Sequence, residues 1–229
     1  MTREELWYNA STKRWAEFLH EQRSAGSTII AYALRHGTTE LNQDNCFRGW
    51  ADVPLDDQGR KDAAVAADYL KDKGIKHVFH SDLSRAVETA HIAIDKMNTK
   101  PTDQEDERLR PWDIGELSGK DRDENAELLR WYVDNPERNI PGGESLSEFG
   151  ERCQEALEEY MKIARRDGPI LFVFHTSNVI QLENFCTGTG AEGKPEVDER
   201  VKPGGILTVD SNLHTEAVLK DGGKGEYGS

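Results

Sequence analysis

Two histidines of this 229-residue chain stand at equivalent places. His36 closes an apolar run and opens the turn Arg35-His36-Gly37-Thr38; His175 closes another and opens His175-Thr176-Ser177-Asn178. If the two runs are neighbouring strands, both imidazoles enter one cleft, joined by Arg35 and by Arg85 from the start of a helical stretch. Buried like charges repel, so two guanidiniums beside two imidazoles call for a compact dianion, and a phosphoryl group is the obvious one. A neutral imidazole can attack phosphorus in line while guanidiniums spread over the equatorial oxygens and the second imidazole donates to another. Backbone N–H groups at the start of a following helix would add to such a site. This chemistry requires no metal or cofactor, and the three cysteines, Cys46, Cys153 and Cys186, have no zinc-like spacing.

Each residue alone has a plainer reading. His36 could be a satisfied buried histidine, Arg85 a helix-start arginine paired with Asp82 or Glu88, and His175 a strand-end histidine bonded to a carbonyl. One joint explanation outweighs three separate accidents. His20, His77, His80, His91 and His214 carry no partner pattern and read as surface or packing residues, while Trp7, Trp15, Trp131 and Phe149 read as core or interface. Trp50 and Trp112 lie in loops expected over the cleft, as substrate contacts or as loop anchors.

The net charge of −14, from 29 Lys and Arg against 43 Asp and Glu, argues against a broad surface for nucleic acid or anionic lipid. The expected partner is a small phosphorylated molecule, held by a local cluster of cations. Residues 1–7 are charged where a signal peptide turns apolar, and the longest apolar run, 170–174, is too short for a bilayer. With free thiols as the default, the expectation is a soluble cytoplasmic protein.

Alternating apolar and amphipathic stretches predict a three-layer αβα fold with a mostly parallel central sheet. Strands are expected over 28–34, 77–80, 169–174 and 205–210. Asp56 caps a helix through Lys73 with Ala63, Ala64, Ala67 and Leu70 on one face, and Ser81 or Asp82 caps another running to about Met97. Ser145-Leu146-Ser147-Glu148 fits a capping box opening a helix to about Arg166. Residues 98–123 are irregular and too long for an ordinary connection, so a lid or binding insertion is expected over about 98–140 within a domain of residues 28–220. Residues 1–27 read as a helical extension whose aromatic stripe offers a homodimer contact, and 221–229 as a Gly-rich disordered tail.

The segment Leu34-Arg35-His36-Gly37-Thr38-Thr39-Glu40-Leu41-Asn42 resembles the signature of the histidine phosphatase superfamily, the phosphoglycerate mutase-like fold. The resemblance continues in Phe47-Arg48-Gly49-Trp50-Ala51-Asp52-Val53-Pro54-Leu55 with Gly59, in Ser81-Asp82-Leu83-Ser84-Arg85-Ala86-Val87-Glu88-Thr89-Ala90, in Pro141-Gly142-Gly143-Glu144-Ser145, and in the strand ending at His175. It implies that His36 is the nucleophile that becomes phosphorylated, that Arg35, Arg85 and His175 hold the phosphoryl group, and that Asn42 adds a phosphate hydrogen bond. Thr39 and Thr176 would complete the phosphate site.

Three departures stand out. Thr38 and Thr39 follow the Arg-His-Gly triplet where an acid or hydroxyl is usual, which leaves the site usable; Thr176 replaces a frequent glycine and narrows the pocket. In Leu109-Arg110-Pro111-Trp112-Asp113-Ile114-Gly115, Pro111 occupies the place where the family commonly carries a Glu as general acid. Asp113, two residues along, would face the same way in an extended segment and is the expected substitute; Glu116 is the reserve. If neither reaches the cleft, substrates with good leaving groups are favoured. The expectation is a metal-independent phosphatase with a phosphohistidine on His36, against two rivals: a phosphoglycerate mutase, or a phosphate-ligand binding protein that has lost turnover.

Overall fold

In the computed structural model, residues 28–189 and 201–219 are described. Their elements run β1 (Ile29–Arg35), α1 (Glu40–Gln43), α2 (Asp57–Leu70), β2 (His77–His80), α3 (Ser84–Lys96), β3 (Thr102–Glu105), α4 (Ala126–Asp134), α5 (Leu146–Asp167), β4 (Ile170–Phe174), α6 (Thr176–Thr187), β5 (Ile206–Asp210) and β6 (Thr215–Leu219). Two short 3₁₀ turns, Glu107–Leu109 and Gly115–Leu117, lie between β3 and α4. The expected helix within 1–27 and the tail at 221–229 fall outside the described residues.

The strands form one six-stranded sheet in the order β3-β2-β4-β1-β5-β6. The pairings β3–β2, β2–β4 and β4–β1 are parallel, whereas β1–β5 and β5–β6 are antiparallel. The period of two along each strand divides its side chains between the faces. Ala31, Ala33, Phe172 and Phe174 join the cluster under α5 and α6, while Tyr32, Leu34, Leu171 and Val173 join the one under α2 and α3. Helices on both faces make the three expected layers, and they bury β4 along its whole length.

The pairing of β1 with β4 decides where function can sit. Their register sets Arg35 opposite Phe174, and His36 N donates to Phe174 O at 3.0 Å. The carboxyl ends of the two central strands therefore stop side by side, and the residues that follow them share one crevice, the usual ligand position of open α/β sheets.

Several local expectations need correction. β3 was expected as loop because Thr102-Asp103-Gln104-Glu105 has no apolar residue; as an exposed edge strand it is held by pairing with β2. β6, of mixed polarity, was likewise not anticipated. Neither Ser81 nor Asp82 caps α3: Asp52 of a distant loop accepts from Ser84 N and Ser84 Oγ, each at 2.8 Å, which releases Ser81 and Asp82 for other partners. α2 ends at Leu70 rather than Lys73, and Ala66 replaces Ala64 on its buried face. Trp131, expected in core or interface, is 50% exposed on α4, so it is no core residue. Asp56 does cap α2 through Gly59 N, and both bonds of the Ser145–Glu148 box are made. Among the described residues no helix is long and apolar enough to cross a membrane.

Candidate active site

Gly37 and Gly59 let two backbones meet beside the nucleophile candidate. A Cβ on Gly37 would lie 2.2 Å from Gly59 O, and one on Gly59 would lie 2.1 Å from Thr38 O, so no side chain fits at either. This contact seats the turn after β1 on the start of α2. His36 points its Nδ1 at Gly37 O, 2.6 Å away. A carbonyl only accepts, so Nδ1 carries the proton and Nε2 keeps a lone pair. That Nε2 is buried and has no hydrogen-bond partner among the described residues.

His175 caps the start of α6, its ring centroid 5.1 Å from that of His36. Its Nδ1 accepts from Arg85 Nε at 3.3 Å, and its Nε2 meets Ser81 Oγ at 2.7 Å. Arg85 pairs with neither Asp82 nor Glu88: its Nη1 donates to Ala51 O at 2.7 Å and its Nη2 to Gly49 O at 3.0 Å. Arg35 donates from Nη1 to Val201 O at 3.0 Å, and its buried Nε has no partner among the described residues. The four groups expected to converge thus share one crevice, with neutral acceptors around the cations.

Sequence reasoning missed a third guanidinium. Arg48, only 8% exposed, donates from Nη1 to Asn42 Oδ1 and to Thr39 Oγ1. Asn42 Oδ1 also accepts from Thr39 N at 3.0 Å and Thr39 Oγ1 at 3.1 Å. The amide oxygen is fully used, and the Nδ2 donors are left for a ligand. The hydroxyl of Thr39 is thereby committed to Asn42, while Thr176 opens α6 at the anion-binding end of that helix. Arg122, whose charge bears on Arg48, donates from Nε to Cys46 O at 3.3 Å. The signal for Arg48 was its place between Phe47 and Gly49 in a matched motif, but nothing local distinguishes a buried arginine from a surface one.

Crowded cations set the protonation states. Burial, then the charges of Arg48, His175, Arg85 and Arg35, holds the His36 imidazole well below 6.5. Burial, then Arg85, Arg48 and Arg35, does the same for His175. Burial pushes Arg35 and Arg85 down to about 10. A bound dianion reverses these repulsions. In a histidine NMR titration, the two imidazoles are expected to protonate with midpoints below 6.5 without phosphate and to shift upward when phosphate is added. Unshifted midpoints would mean that the anion binds elsewhere.

Pro111 lies in a wall of residues 108–116, and its carbonyl accepts from Trp50 Nε1 and Arg152 Nη2, both at 2.8 Å. Trp50 and Trp112 both act as anchors, Trp112 Nε1 donating to Glu144 O at 3.1 Å. Asp113 accepts on Oδ1 from Gly115 N at 3.1 Å, and its own N–H donates to Glu144 Oε1 at 2.9 Å. Glu116 is exposed. Arg110 binds Asp82, and Glu144 binds Arg152. Among the described residues, no carboxylate hydrogen-bonds or ion-pairs with Arg35, Arg48, Arg85, His36 or His175.

Paired imidazoles and guanidiniums thus gather at the carboxyl ends of the parallel strands of a mixed sheet, an arrangement that suits a phosphoryl group. The family model described as histidine phosphatase superfamily (branch 1) matches residues 31–187, and the chain belongs to that superfamily. A 2,3-bisphosphoglycerate-dependent phosphoglycerate mutase of Allorhizobium ampelinum is 37% identical over 209 residues, covering 82% of this chain and 94% of the relative. That of Mesorhizobium japonicum is 31% identical over 198 residues, covering 82% and 96%. Among solved structures, a phosphoglycerate mutase from Bacillus anthracis superposes with a TM-score of 0.70 at 20% identity, over 88% of this chain and 96% of the other. A mycobacterial glucosyl-3-phosphoglycerate phosphatase gives 0.69 at 20% identity, over 85% and 98%. At those identities the structures establish the fold alone, which is the phosphoglycerate mutase-like one.

Proposed function

We propose that this protein is a phosphatase that removes phosphoryl groups from small molecules with good leaving groups, through a phosphohistidine on His36. The observation that carries the reading is the buried, unpartnered Nε2 of His36 among guanidiniums that have no carboxylate partner among the described residues. Its lone pair attacks phosphorus as the bond to the leaving oxygen breaks, Arg35, Arg85 and the Nδ2 of Asn42 hold the equatorial oxygens as charge develops, and His175 holds the Arg85 guanidinium in place. Water then attacks the phosphohistidine and gives up a proton to solvent, the N–P bond breaks, and the electron pair returns to Nε2. Asp113 has one oxygen engaged by Gly115 N, and this reading assigns it no proton transfer. Without a proton donor, aryl phosphates, acyl phosphates and phosphoanhydrides are better substrates than alkyl phosphates.

The test is a rapid-quench reaction with a radiolabelled aryl phosphate. A base-stable, acid-labile label on His36, formed with a burst of phenol release, is the expected result; turnover of a matched alkyl phosphate should be slower by about a hundredfold or more. Tight phosphate binding with no label from either substrate would instead leave a binding protein. A second reading, a phosphoglycerate mutase, is favoured by what the 31% and 37% identical relatives are named. Conversion of phosphoglycerate that depends on a bisphosphoglycerate primer would establish it in place of hydrolysis.

A further inference from the structure

Arg48 has no part in the steps above, yet after burial it is the charge that bears most strongly on His36. Only its Nη1 is anchored, on Asn42 and Thr39; Nε and Nη2 have no hydrogen-bond partner among the described residues. The loop that carries it is clamped to the wall of Pro111. Trp50 Nε1 donates to Pro111 O at 2.8 Å, and a Cβ on Gly49 would lie 2.7 Å from Ile114 Cγ1 and 2.6 Å from Ser118 Oγ, so that loop can come no closer. On that wall Asp113 already accepts from Gly115 N on Oδ1. Proline has no proton to give, Asp82 is paired with Arg110, and Glu144 with Arg152. A fixed guanidinium on a loop tied to such a wall can do by charge what a carboxylic acid does by proton transfer.

We propose that Arg48 is a catalytic residue whose free guanidinium edge stabilises the leaving oxygen of the substrate, replacing the general acid. The inference rests on the phosphoryl-transfer reading above and assigns the half of the reaction which that reading leaves open. As the His36 Nε2–P bond forms, the P–O bond breaks, and its electron pair stays on the departing oxygen. That oxygen leaves as an anion hydrogen-bonded to Arg48 and takes its proton from solvent afterwards. No co-reactant is needed. Help of this kind matters most for oxygens that bear negative charge poorly, and least for those that bear it well.

The experiment is a leaving-group series, from 2,4-dinitrophenyl phosphate through 4-nitrophenyl phosphate to phenyl phosphate, run on the native protein and on Arg48→Gln. The expected loss in the variant is a few-fold on the dinitrophenyl ester and about a hundredfold or more on phenyl phosphate, the scale of one removed charge-stabilising donor. Arg48→Lys keeps the charge without the fork and should fall between. Pro111→Glu placed in the Arg48→Gln background should restore the poor substrate preferentially, because it returns a proton donor to that wall. An equal loss across the series would overturn the proposal, since it would assign Arg48 to the non-bridging oxygens or to folding alone. No loss would overturn it as well. Failure of the native protein to hydrolyse even the dinitrophenyl ester is a different result, sinking the phosphatase reading and this inference with it.

Discussion

His36→Ala should lower kcat/KM for 4-nitrophenyl phosphate by on the order of 10⁴-fold or more, because no other group in the crevice can take over as nucleophile. Among the neighbours, Arg35, Arg48 and Arg85 have no lone pair to offer, and His175 has both ring nitrogens engaged, by Arg85 and Ser81. The fold should tolerate the change. Among the described residues the imidazole makes one hydrogen bond, to Gly37 O, and because it is held neutral its removal leaves no unpaired charge. Phosphate should therefore still bind, since the guanidiniums and the amide of Asn42 are untouched. Steady-state kinetics together with calorimetric titration of inorganic phosphate separate the two effects. Turnover within about tenfold of native would rule out His36 as the phosphorylated residue.

The largest stability effect is expected from a residue outside the crevice. Arg152 on α5 donates Nη1 to Arg108 O and Arg110 O, Nη2 to Pro111 O and Glu144 Oε1, and Nε to Glu144 Oε2, all between 2.5 and 2.9 Å. It thereby ties the backbone of residues 108–111 to the helix and neutralises Glu144, whose carboxylate in turn holds Asp113 N. Arg152→Ala leaves a largely buried carboxylate without its counter-charge and removes a donor from three carbonyls, of which Pro111 O keeps Trp50 Nε1 and Arg110 O keeps Asn178 Nδ2. The expected loss is about 3 kcal/mol, in the range measured when one partner of a buried pair is removed. Arg152→Lys should recover little, because an ammonium cannot fork to five acceptor contacts. Urea unfolding of the three proteins checks this; a loss below about 1 kcal/mol would show that the wall is held by its apolar side chains instead.

Much of the frame was legible before any coordinates. The runs at β1, β2 and β4 are apolar enough to be strands wherever they are placed, and Asp56, Ser145 and Glu148 are capping residues whose partners lie three positions away. Arg35, His36, Arg85 and His175 could be named because each lies at the end or start of such an element. The errors share a cause. β3 has no hydrophobic pattern of its own and exists because β2 presents an edge. Ser81 looked like a helix cap by local rule, but its hydroxyl is taken by His175, 94 positions away, while Asp52 caps the helix instead.

By itself the amino-acid order determined which elements form and which side chains stand at their ends, because helix and strand periodicity and capping act over a few residues. Tertiary structure decided that Arg48 belongs with His36, that Ser81 serves His175, and that Asp113 and Glu144 are engaged within the wall. Those outcomes depend on burial and on charges brought together from distant segments. A guanidinium's energy is set by what surrounds it, and neighbours in space are not written in neighbours along the chain.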